Sequence, residues 1–346
     1  MAVYTTIDDP SAYFKVQLYT GGGGTQSITF DDTDTDMQPD LVWIKDRADT
    51  FAHQVHDSVR GASAGYLSTD STGTEQSSYP ISSFNSDGWT TKSGGTDGQN
   101  VSGDAFVSWN WKASGSTASN STGDLTSTVS ANTTSKFSIV SWTAADAGAA
   151  KTVGHGLGVV PEFIIVKQRN RTINWICYIE AINNTNTMWL DTADPSSDVD
   201  YWNDTSPTTS LFTTNGVLED AYNLIAYCFA SVQGFSKFGK YIGNGNANGT
   251  FVYTGFRPAW IMIKYTGSGE SWIIHDNKRN GFNNDNDFLY ANTTGAEVSG
   301  THLDILSNGF KARSTNGVVN GSGTYTYMAF AEAPFVNSNG VPCNAR

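Results

Sequence analysis

Two places in the chain set the ingredients of acid–base chemistry side by side. His56-Asp57 and His275-Asp276 each join an imidazole to a carboxylate, and Arg60 and Arg279 follow three residues after each aspartate. A carboxylate that orients a histidine is half of a hydrolytic constellation. Three lysines belong to the same pattern. Lys45, Lys167 and Lys264 each stand six residues after a proline, in PDLVWIK, PEFIIVK and PAWIMIK. A hydrogen-bonding ring then follows eleven residues after each lysine: His56, Tyr178 and His275. These six residues are the candidate binding residues, as donors toward a glycan.

Catalysis needs more than these pairs. There is no G-x-S-x-G elbow, no cysteine beside a histidine and no metal-spaced cluster. The middle copy reads Tyr178-Ile179-Glu180 and has no matching arginine. The expectation is therefore structural. Each aspartate and arginine should pin a bend by a local salt bridge. Each lysine should end a strand, its stem over an aromatic and its ammonium in solvent. No catalytic residue, metal ligand or cofactor is assigned. Acidic runs at 31–36, 194–200 and 283–287 are oxygen-rich enough to suggest Ca²⁺, but lack the EF-hand spacing and read as solvated loops. Carboxylate pairs for glycoside hydrolysis converge only in space, so the sequence selects none.

The elements that position these residues are strands. PAWIMIK alternates, with Trp260, Met262 and Lys264 on one side and Ile261 and Ile263 on the other. A polar turn and a second short strand follow, making a hairpin. Farther on come matched pairs, Tyr66-Leu67, Trp189-Leu190 and Phe288-Leu289, then Asp-Gly or Asn-Gly turns in FNSDGW, FTTNG and LSNGF. Each copy closes on an alternating strand, FVSWNW, LIAYCF or YTYMAF. Lead-ins LYTGGGG, IVSWTAA and KYIGNGN also recur. Agreement at several separated places marks an internal triplication of domain-sized units.

The expected fold is all-β: three homologous antiparallel β-sandwich-like units in tandem, at 15–112, 136–233 and 237–335. A Ser/Thr/Asn-rich linker spans 113–135. An N-terminal attachment segment, 1–14, and a tail, 336–346, flank the units. Asp9-Pro10 predicts one short helical turn. Trp43, Phe106, Ile165, Ile225, Ile261 and Tyr327 should be buried.

Composition narrows the function. The formal net charge is -13, which opposes nucleic-acid binding. No apolar run approaches a membrane span, and the start of the chain does not read as a signal peptide. Cys177, Cys228 and Cys343 form no disulfide framework, which fits synthesis in a reducing cytoplasm.

Several stretches carry a resemblance: HDSVRG, SNGF, VGHGLGVVPEFIIVK, GFSKFGKYIGNG and VYTGFRPAWIMIK. With them, nearly the whole chain resembles a family of uncharacterised virion-associated domains of phages that infect marine bacteria. The resemblance implies a tail-fibre-like or structural role on the virion exterior, in contact with other virion proteins. It supplies no catalytic residue. A homo-oligomer, with a trimer favoured, is the expected assembly. A host-glycan-binding module and a polysaccharide depolymerase are the alternatives.

Overall fold

The computed structural model describes residues 4–30, 35–78, 81–92, 98–144, 149–219, 221–267, 269–280, 283 and 287–343. The fold is all-β. Each unit places four strands side by side in one order: lead-in, closing, opening, second. In unit 1 these are Phe14–Thr20, Ala105–Trp111, Leu41–Asp46 and Gln54–Asp57. In unit 2 they are Phe137–Thr143, Asn223–Phe229, Phe163–Gln168 and Ile176–Ile179. In unit 3 they are Ser236–Gly243, Gly323–Pro334, Phe256–Tyr265 and Ile273–Asp276. All neighbours run antiparallel.

The register matches residue for residue. Val42 lies opposite His56, Ile164 opposite Tyr178 and Ile261 opposite His275. Lys45, Lys167 and Lys264 come three residues later, opposite Val107, Ile225 and Thr326.

A smaller sheet backs each main sheet. Its members are Ser27–Ile28, Gly88–Thr91 and Ile81–Asn85 in unit 1, and Lys151–Gly154 with Leu211–Thr214 in unit 2. In unit 3 they are Phe251–Tyr253, Gly309–Ala312 and Leu303–Leu306. Asp87-Gly88 and Asn308-Gly309 turn hairpins as expected. Gly88 sits at φ 107, where a Cβ would lie 2.0 Å from the Ile28 carbonyl oxygen, so only glycine fits. In unit 2 the Asn-Gly leads instead into a 3-10 turn, Gly216–Glu219.

Three details differ from the sequence reading. The 113–135 stretch carries strands Ala118–Asn120 and Ser127–Asn132, which extend the unit 2 sheet beyond its lead-in strand. Alternating small residues such as Val129 bury one face there, so a linker-like composition pairs as sheet. Pro258 lies inside a strand rather than before it, at a register shift, because proline has no N–H for the ladder. The aromatic-leucine pairs align differently in the middle copy: Leu67 bridges Val55 and Leu289 pairs with Ile274, but Met188 is the residue opposite Cys177. The described part of the N-terminal segment packs on unit 3 of its own chain. Tyr4 Oη donates to the Gly255 carbonyl at 2.9 Å, and Ile7 is buried. The short turn is present, Pro10–Ala12, with Asp9 as N-cap.

The six expected core residues are all buried, and they divide between two kinds of core. Ile261 and Tyr327 pack between the two sheets of unit 3, and Phe106 does the same in unit 1. Trp43, Ile165 and Ile225 belong to one cluster drawn from all three units. Trp111, Phe229 and Phe330 occupy matching closing-strand positions there. Their rings meet one another at 6.4, 5.6 and 5.9 Å between centroids. Three equivalent rings in mutual contact mean that the units close around a common axis. Phe229→Ala should therefore cost about 3–5 kcal/mol; an unfolding curve that overlays the wild type would remove Phe229 from that core.

Candidate functional site

Opening strands alternate, so Leu41, Trp43 and Lys45 share one face. That face looks toward the common axis, and the repeated lysines look with it. None of Lys45, Lys167 and Lys264 has solvent-accessible surface, which corrects the expectation of a solvated ammonium. Each ammonium is capped by backbone carbonyls. Lys45 Nζ donates to Asp46 and Asp49 at 2.6 and 3.0 Å. Lys167 Nζ donates to Gln168, Ile173 and Thr72 at 3.0, 2.9 and 3.2 Å, Thr72 belonging to unit 1. Lys264 Nζ donates to Glu270 and, in unit 2, to Ala193, at 2.7 and 3.1 Å. Burial pushes each lysine down to about 8.

Eight residues after each lysine stands a ring that the repeat pattern left unremarked: His53, Trp175 and Trp272. Trp175 Nε1 donates to the Ser68 carbonyl of unit 1 at 2.6 Å, and Trp272 Nε1 to the Trp189 carbonyl of unit 2 at 2.8 Å. His53 Nε2 lies 3.0 Å from the Tyr290 carbonyl of unit 3. A carbonyl only accepts, so Nε2 carries the proton, and Nδ1 accepts from Trp43 Nε1 at 2.8 Å. Unit 2 thus grips unit 1, unit 3 grips unit 2, and unit 1 grips unit 3. A second set of bonds crosses the same three seams in the opposite donor direction. Glu75 N donates to the Arg169 carbonyl, Ser196 N to Thr266 and Glu297 N to Arg47, at 2.7, 2.9 and 2.9 Å.

The aspartate–arginine pairs are local salt bridges as expected, at 2.5 Å for Asp57–Arg60 and 2.7 Å for Asp276–Arg279, all four side chains buried. They also reach across units. Tyr227 Oη of unit 2 donates to Asp57 at 2.8 Å, and Trp109 Nε1 of unit 1 donates to Asp276 at 3.0 Å. The middle copy's departure has its reason here. Ile179 holds the aspartate position and Met328 the donor position, and both belong to the apolar core.

The rings beside the aspartates take no part in this network. Among the described residues, neither nitrogen of His56 or His275 has a hydrogen-bond partner. Both rings are buried, and burial holds both well below the usual imidazole range, His56 at about 3. Tyr178 is hydrogen-bonded to Ser206. The pairs are therefore not oriented as acid–base dyads.

The void on the axis holds about 20 Å³ and is walled by Trp43, Trp111, Trp260 and Met328 among others; it has no room for a substrate. Open grooves lie outside. One of about 510 Å³ follows the seam between units 1 and 2, lined by Ser63, Thr74, Glu75, Ser77, Arg169 and Asn170. Another, of about 450 Å³, runs along 114–122 beside Gly156. No group of three metal-ligating side chains occurs among the described residues. Parts of two acidic runs, 31–34 and 284–286, lie outside the described residues.

The model of a domain of unknown function, DUF7483, matches residues 9–334. The chain belongs to that family. No curated protein and no solved structure matches it. The matched span covers nearly all of the three units.

Two outcomes follow for the candidate residues. Lys167→Met strips the donor from several buried carbonyls, at about 1–3 kcal/mol for each group left unpaired. A denaturant midpoint equal to wild type would contradict this. The histidines set an acid limb. The folded His56 refuses a proton that the unfolded chain accepts near 6.5. The stability it allows is therefore complete above about pH 6.5 and falls as pH drops toward 3, at up to about 1.4 kcal/mol per pH unit. His56→Phe should flatten that fall, as measured by unfolding at several pH values.

Proposed function

We propose that the protein is a non-enzymatic structural component of a phage particle, carried on the exterior as a tail fibre, spike or capsid decoration. One observation supports this most: the side chains repeated most faithfully are spent on joining the units. Lys167, Lys264, Asp57 and Asp276 all bond across seams. Repetition that preserves a closed body serves mechanical persistence. The sequence resemblance to virion-associated domains points the same way. In this reading the protein is made in the host cytoplasm, resides in the virion and contacts other virion proteins. The three units already enclose the apolar faces that separate subunits would share, so a homo-oligomer, including the favoured trimer, would use outer surfaces.

A contribution to host attachment is the second part of the reading. The groove lined by Glu75, Arg169 and Asn170 offers fixed donors and acceptors of the kind that glycan hydroxyls need. Binding or cleavage of a host polysaccharide is thus the competing activity.

The decisive experiment is antibody labelling of purified particles, with reducing-sugar release from host polysaccharide measured in parallel. Label on the particle surface and no sugar release are the expected results. Protein confined to the soluble lysate would overturn the structural role, and sugar release lost in an Arg169→Ala variant would replace it with a depolymerase.

A further inference from the structure

The three seams are built to one plan but from two chemistries. Between units 1 and 2 run Asp57, Arg60 and Glu75 from unit 1, with Arg169 and Tyr227 from unit 2. Glu75 takes Arg60 at 2.8 Å and Arg169 at 2.8 Å. Between units 3 and 1 run Asp276, Arg279 and Glu297 from unit 3, with Arg47 and Trp109 from unit 1. Glu297 takes Arg279 at 3.0 Å and Arg47 at 2.7 Å. The Arg279 guanidinium also lies 5.8 Å from the Trp109 ring centre. At matching positions the seam between units 2 and 3 has Ile179, Ile182 and Ser196 from unit 2, with Thr266 and Met328 from unit 3. Ile179 and Met328 are core residues there, and Ile182 packs against the same core.

Among the described residues, unit 1 is therefore the only unit with an ionic seam on both sides. We infer that the closed ring is made to open at unit 1, whose two seams loosen together ahead of the seam between units 2 and 3.

Two further features agree. The ion pairs that cross both seams are partly open to solvent ions: Arg169 and Glu75 are 24% and 18% exposed, Arg47 and Glu297 21% and 13%. Dissolved salt screens such partly exposed pairs and does nothing comparable to Ile179 and Met328. The ring that unit 1 inserts into its neighbour is His53, where units 2 and 3 insert the larger Trp175 and Trp272, so less apolar surface holds it. Opening bares Trp43, Trp109 and Trp111 on one side and Tyr227, Phe229 and Trp260 on the other.

Native-state hydrogen exchange on the whole chain reads this directly. The reporters are the three closing strands, Ala105–Trp111, Asn223–Phe229 and Gly323–Pro334. Between about 0.05 M and about 1 M sodium chloride, exchange in the first should rise about tenfold while the other two change by less than about threefold. A Glu75→Gln, Glu297→Gln double variant should show the same selective rise at low salt, and Ser196→Ala should not. The salt series needs no variant, so it decides the matter even if the double variant fails to fold. Equal rises in all three strands, a rise first in unit 2 or unit 3, or no change would each overturn the inference.

Discussion

Each main sheet has two apolar faces and only one sheet of its own to cover them. The opening strands Leu41–Asp46 and Phe163–Gln168 are buried at every position, so both sides must be shielded from water. The small backing sheet covers one side. The other can be covered only by another unit, and three such faces meet around the Trp111, Phe229 and Phe330 rings. This single requirement makes the chain one body rather than three beads. It also explains why so lean a composition suffices: its aromatics are concentrated where three surfaces are buried at once.

A shared apolar core brings polar backbone with it, because loops from one unit end against the next. Buried carbonyls need donors, and the repeat supplies them from fixed positions: the lysine, and the ring eight residues later. The acceptors are main-chain atoms of Ser68, Trp189 and Tyr290. A carbonyl accepts equally well whatever side chain it carries. The donors therefore repeat closely while the side chains of the residues they hold are free to differ, as serine, tryptophan and tyrosine do here, and the strongest sequence signal sits on one half of each contact.

Where side chains meet side chains, they change as a set. Asp57 and Tyr227 form a buried donor–acceptor pair, and so do Asp276 and Trp109. A buried carboxylate without its arginine and donor would be costly. Losing the aspartate in the middle copy is tolerated because Ile182 replaces the arginine and Met328 the donor. What reads along the chain as a defective third motif is a complete apolar seam.

The sequence by itself determined the all-β class, the triplicated pattern, the presence of the opening hairpins and the local Asp–Arg bridges. Alternation, proline and glycine turns, and short spacings are properties of neighbouring residues, and neighbours in a chain report them. It misjudged the lysines, because alternation says that Lys45 shares a face with Trp43 but not whether that face meets water. It read 113–135 as linker, because serine and threonine pair in sheets as readily as they loop once a neighbouring edge such as Phe137–Thr143 is present. Tertiary structure alone decided that the outward faces turn toward one another, that Glu75 answers Arg169 and Glu297 answers Arg47, and that the rings of His56 and His275 are buried. Those contacts join residues up to 250 positions apart, and no local pattern encodes which of three similar surfaces a strand will find.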